Sequence, residues 1–171
     1  MLDQPKPPDI FGTPQEQEST LQGRESRTVC FIVWGSPVAQ PRAKFRNIPG
    51  KNYPVVVSNP KKAPITQWKA DIKSAYQNLP LFGDPPLSGP LKVAIDIFLP
   101  RPKRLMRRRD PDGPVLHIAK PDRDNVEKAI LDALKGVAFV DDCQVCAGEV
   151  RKFYHEKDGR PRAEIEIKEI T

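Results

Sequence analysis

The spacing of apolar positions along the chain predicts a small set of elements. Leu91, Val93, Ile95, Ile97 and Leu99 alternate with Lys92, Ala94, Asp96 and Phe98, the period of a half-buried strand, and Pro100 ends it. Residues 29–34 form a continuous apolar run instead, which predicts a central strand buried on both faces. Near the C-terminus Ala163, Ile165 and Ile167 alternate with Glu164, Glu166 and Lys168. Asp158-Gly159 reads as the hairpin turn that joins this strand to one beginning near Cys143. Helical spacing occurs twice. From Pro64, Ile65, Trp68, Ile72, Ala75 and Leu79 recur at turns of a helix that stops at Pro80. Over residues 124–135, Val126, Ala129, Ile130, Ala133 and Leu134 share one face. Asp124, Asn125, Lys128, Asp132 and Lys135 lie on the polar face of that helix, and Gly136 is a C-terminal stop. Short strands are expected at residues 55–57 and 115–118. These elements predict an α+β single domain, a mixed β-sheet with two main helices packed on it, without internal repeats.

A chain of 171 residues suits one domain with appended segments. Residues 1–27 mix Pro, Gln, Ser, Gly and charge with no apolar period, so they are expected to be a disordered N-terminal tail, and residues 28–171 the domain. Charge separates the two. The tail carries three basic and five acidic residues of the chain's 28 and 22, leaving 25 against 17, a net +8, on the domain. That balance points to a polyanionic partner. No transmembrane run or secretory h-region is recognisable, so a soluble cytoplasmic protein is expected. Cys30, Cys143 and Cys146 are too few and too unevenly placed for a disulfide framework. Cys143 and Cys146 form a lone C-x-x-C, whereas a structural zinc site needs a second pair or histidines.

Against this basic background, acids cluster around the second helix. Asp122 and Asp124 stand where it begins, and Asp141 and Asp142 follow its end. Crowded carboxylates repel unless a proton or cation lies among them, and a hard divalent ion such as Mg2+ is a common resolution. A structural alternative exists for each acid. Asp124-x-x-Glu127 has capping-box spacing, with Asp122 near the positive helix end and Asp141-Asp142 in a turn. That alternative leaves unexplained Lys128, one turn from Asp124, and two flanking basic stretches. One contains Arg42, Lys44 and Arg46; the other holds Arg101, Lys103, Arg104, Arg107, Arg108 and Arg109, six basic residues in nine positions. Either stretch could anchor phosphates or be a solvated loop; for the first the two readings are equally weighted, and for the second the adjacent acids favour phosphate binding.

The sequence KPDRDNVEKAILDALKG followed by VDDCQV resembles the signature of the RusA-like Holliday-junction resolvases, endonucleases of bacteria and phages. A D-x-D-N-x-x-K block, an L-D-A-L helix end and a D-D-x-Q-V block occur in order over residues 120–145. Looser similarity extends to Gly35-Ser-Pro37 and residues 41–44, and none covers the tail. The resemblance implies that Asp122, Asp124 and Asp142 bind the metal and that Lys128 is the catalytic lysine. It further implies a homodimer that places paired symmetric nicks in a four-way junction during recombination and repair, using Mg2+. The proline-rich loops and the basic segment depart from the family pattern and leave junction selectivity open. Two other functions remain: a nuclease for flaps, forks or other branched DNA, and a non-catalytic nucleic-acid binding module whose acids only cap a helix. Magnesium-dependent products separate the second from the first. A small zinc-bound adaptor using Cys143 and Cys146 would be revealed by metal analysis.

Overall fold

A computed structural model describes residues 27–41, 44–46, 50, 53, 55–57, 64–80 and 83–170. The expected tail, except Arg27, lies outside the described residues, as does Arg42. In chain order the elements are β1 (Thr28–Trp34), β2 (Lys44–Arg46), β3 (Val55–Val57), α1 (Pro64–Gln77), β4 (Leu91–Leu99), β5 (Val115–Leu116), α2 (Arg123–Leu134), β6 (Val145–Tyr154) and β7 (Arg162–Glu169). Five strands form one mixed sheet in the order β1-β7-β4-β6-β5, while β2 and β3 make a separate antiparallel pair.

The sheet buries the face that carries Val29, Phe31, Val33, Val93, Ile95, Ile97, Ile165 and Ile167. Both helices contribute to the same core, through Ile65, Trp68, Ile72 and Tyr76 of α1 and the five expected apolar residues of α2. Alternation in β4 therefore sorts core from the opposite face as expected. Phe98 is buried too, but on that opposite face, stacked on Phe153 with centroids 5.5 Å apart and covered by the Arg162 guanidinium 3.8 Å from its ring.

Two expectations are corrected. The run at residues 29–34 is not a central strand: β1 lies at the sheet edge and alternates between buried and exposed, with Ile32 and Trp34 open to solvent. A continuous apolar run specifies β-structure without saying how many faces are covered. Nor do β6 and β7 form a hairpin across Asp158-Gly159. β4 inserts between them, parallel to β6 and antiparallel to β7. The connection has only to step over one strand, about 10 Å between its outer neighbours, so a turn-rich loop serves either topology. The parallel β4–β6 pair is joined by a crossover that contains α2, the usual solution for parallel strands.

Candidate active site

The segment before α2 is fixed by a distant lysine. Lys152 Nζ of β6 donates to the carbonyls of Ala119 and Pro121, each at 2.7 Å. Asp122 follows as the N-cap in extended conformation, without a side-chain capping bond, and Asp124 lies in the first turn. The capping-box alternative had placed the cap at Asp124; it falls two residues earlier. Both carboxylates are exposed at the end of the helix whose dipole favours negative charge. The Gln40 N–H donates to the Asn125 carbonyl at 2.7 Å, so the loop after β1 meets this first turn. Lys128 is exposed one turn beyond Asp124, where i and i+4 side chains share a face. One further turn on, Asp132 pairs with Lys69 of α1 at 3.0 Å and ties the helices together.

The other end of α2 is built differently. Gly136 takes a positive φ of 73°, which lets the chain leave the helix at a conformation glycine adopts without a Cβ penalty. Lys135 Nζ then lies 2.6 Å from Asp141 and 3.0 Å from Asp142. Asp141 caps a single 3-10 turn over Asp142–Gln144: its carboxylate accepts from Cys143 N at 3.0 Å, and the Gln144 side chain accepts from Asp141 N at 2.8 Å. The Gln144 amide also donates to the Leu87 and Gly89 carbonyls, fixing the approach to β4. The Lys135 ammonium holds the Asp141 carboxyl well below its usual range, aided by the Cys143 N–H, and the two carboxylates push the Lys135 pKa up.

These two acid groups are a helix apart. Asp122 is the N-cap and Lys135 the C-cap of a 12-residue helix, a rise of about 18 Å. β6 repeats the spacing. Val145, just past Asp142, pairs with Leu91, whereas the Val150 carbonyl meets Arg123 at 3.4 Å. Among the described residues no group of three or more His, Cys, Asp or Glu is placed to hold a metal ion. Asp122, Asp124 and Asp142 have the oxygen chemistry magnesium requires. One chain does not bring the three together. The same holds for zinc at Cys143 and Cys146, both exposed without a third ligand among the described residues.

The basic segment precedes the start of α2 in the chain, with β5 between them. It leaves the C-terminal end of β4, and β5 returns alongside Phe153 and Tyr154 before the chain enters α2. Lys103, Arg104, Arg107, Arg108 and Arg109 are exposed there. Arg101 differs. It is only 8% exposed, and its guanidinium donates to the carbonyls of Leu105, Pro111 and Gly113, so it faces the loop interior. Lys157 reinforces that interior through Asp112 at 2.8 Å and the Asp110 carbonyl at 2.7 Å. Of the other basic positions, Lys44 and Arg46 lie in β2. Motif spacing did not single out Lys135, Gln144 or Lys152. Lys135 was visible on the polar stripe and Gln144 in the second acidic block, but no local pattern announces Lys152, whose partners lie about thirty residues away.

Residues 35–168 match the family model described as Endodeoxyribonuclease RusA. The chain belongs to the RusA family. The matched region runs from the end of β1 through β7 and includes both acid groups. The chain is also 32% identical over 149 residues to the "Uncharacterized protein YqaN" of Bacillus subtilis (strain 168), covering 82% of this chain and 96% of that protein. RusA membership implies endodeoxyribonuclease activity on junction DNA. No helix among the described residues is long and apolar enough to cross a membrane.

Proposed function

We propose that the protein is a cytoplasmic, magnesium-dependent, structure-selective endodeoxyribonuclease that resolves Holliday junctions by paired symmetric nicks in recombination and repair. The observation that carries this is the RusA match over a domain in which Asp122, Asp124, Lys128 and five cations of the loop after β4 are all exposed. Lys103, Arg104, Arg107, Arg108 and Arg109 contact phosphates, Arg42, Lys44 and Arg46 are further phosphate contacts, and Arg101 holds the loop after β4 in shape. Affinity is therefore salt-dependent, and junction shape supplies selectivity.

The active form is a homodimer, matching the two-fold symmetry of the substrate. Asp122 and Asp124 of one copy hold the ion with Asp142 of a second, because a helix length separates them within one chain. When bound, the ion supplies an acidified water and neutralises charge on the phosphate. Lys128 places its ammonium against negative charge developing on the phosphoryl oxygens. To serve as a ligand, Asp142 exchanges its Lys135 partner for the cation.

Cleavage of a labelled four-way junction, beside linear duplex of equal length, with magnesium or EDTA, tests this function. The expected result is symmetric magnesium-dependent nicks on the junction alone, lost in Asp122→Asn while binding is retained. Equal cutting of forks and flaps would move the substrate to branched DNA in general. Binding without products under any divalent ion would make the protein a non-catalytic module.

A further inference from the structure

β6 is covered along only part of one side. β4 pairs with it from Val145 to Tyr154, with a register shift that leaves Cys146 without a partner residue in β4, but on its other side β5 pairs only with Phe153 and Tyr154, extended by the His117 N–H donating to the Lys152 carbonyl at 3.0 Å. Residues 145–151 thus present about 20 Å of strand edge with no partner strand among the described residues. Backbone groups alternate along a strand, so Gly148 and Val150 aim their N–H and C=O groups to the same side as Lys152. The long 3.4 Å contact from Arg123 to the Val150 carbonyl marks that side as outward. Cys146, Ala147, Gly148 and Glu149 are all exposed. Residues 145–150 contain no lysine or proline, residues that commonly protect a sheet edge from pairing.

We propose that this edge of β6 pairs with the same edge of a second copy, antiparallel across a two-fold axis at Gly148, to make one continuous sheet through the dimer. Gly148 then faces its own copy and exchanges both backbone hydrogen bonds with it. In that register Cys146 faces Val150, Ala147 faces Glu149, and no like charges oppose. Gly148 suits the centre for a second reason: a Cβ there would run into the Val93 carbonyl, so the position stays small and the strand surface flat. The surface names the interface of the proposed homodimer and rests on that proposal. Antiparallel pairing sets the Asp142 end of one β6 beside the Val150–Lys152 end of the other, where Lys152 and Arg123 locate the start of α2. The sheet's other edge, β1, is not adjacent to β6, and pairing through it would leave Asp142 and Asp122 of opposite copies apart.

Three measurements on the full chain test the interface: sedimentation velocity, amide exchange over residues 145–151, and junction cleavage. The wild type is expected to sediment as a dimer, with the edge amides protected at least tenfold more than in dilute monomer. Val150→Pro removes an outward N–H without touching the β4 ladder. It is expected to be monomeric and to lose cleavage while keeping its circular dichroism. If Val150→Pro fails to fold, exchange in the wild type decides. A dimeric wild type with fast-exchanging edge amides, or a dimeric Val150→Pro, overturns the β6 interface and leaves the nuclease function standing. A monomeric wild type overturns both interface and homodimer. Protected edge amides in a dimer that never cuts DNA would support the interface and overturn the nuclease function instead.

Discussion

The two ends of α2 carry the same kind of residue in different surroundings. At the N-terminus Asp122 and Asp124 face solvent at the positive end of the helix dipole, behind a segment fixed by Lys152. At the C-terminus Asp141 and Asp142 share the Lys135 ammonium, and Asp141 is also spent on a cap. One end is an exposed carboxylate pair at a helix N-terminus. The other is an internally neutralised pair that must release a lysine before it can take a cation. A linear motif placed both in one catalytic set, but folding places them a helix apart, and an activity needing both requires a second chain.

The largest effects should come from removing acids. Asp122→Asn and Asp142→Asn are each expected to lower junction cleavage by more than about 10³-fold, because each removes a ligand needed to acidify water and neutralise charge. Single-turnover assays at saturating protein check this, and equal binding by filter retention separates it from lost affinity. Lys128→Ala is expected to cost roughly 10²- to 10³-fold in kcat with little change in KM, the pattern of a group that acts on the transition state.

Smaller effects should appear in stability. Gln144→Ala leaves the Leu87 and Gly89 carbonyls without its amide and loosens the C-terminal acid turn. Urea denaturation is expected to show a loss of about 1 to 2 kcal/mol. Glu156 pairs in two-pronged fashion with Arg162, at 2.8 and 2.9 Å, which lowers its pKa from 4.5 to about 2. A depressed carboxyl pKa contributes stability above the unfolded value of 4.5 and loses it as pH falls toward 2. Glu156→Gln is therefore expected to cost about 1 kcal/mol at pH 7, after allowance for screening at this partly exposed pair. The gap from wild type should close between pH 4.5 and 2. A gap that persisted at pH 2 would assign the loss to packing over Phe98.

Periodicity made the helices and the core face of β4 legible, because burying one stripe or one face leaves a direct trace in residue order. The buried residues of α2 were readable one by one. Strand neighbours were not. Nothing in residues 29–34 or 158–159 reports that β1 is an edge or that β4 lies between β6 and β7, since pairing partners depend on the whole sheet. In the candidate site, the motif named the acids and Lys128 but not their separation, which follows from the length of α2. Density of charge likewise could not tell Arg101 from Arg104. Only the carbonyls that converge on Arg101 do so.

Mixing the two inactive variants tests the two-chain site most directly. Asp122→Asn and Asp142→Asn proteins are combined, allowed to exchange subunits, and assayed on the labelled junction with magnesium. In a mixed dimer one site regains Asp122 and Asp124 from one copy and Asp142 from the other, so single nicks should reappear where each variant alone makes none. If exchange is complete and the mixture remains as inactive as its components, the three carboxylates do not form a site across two chains.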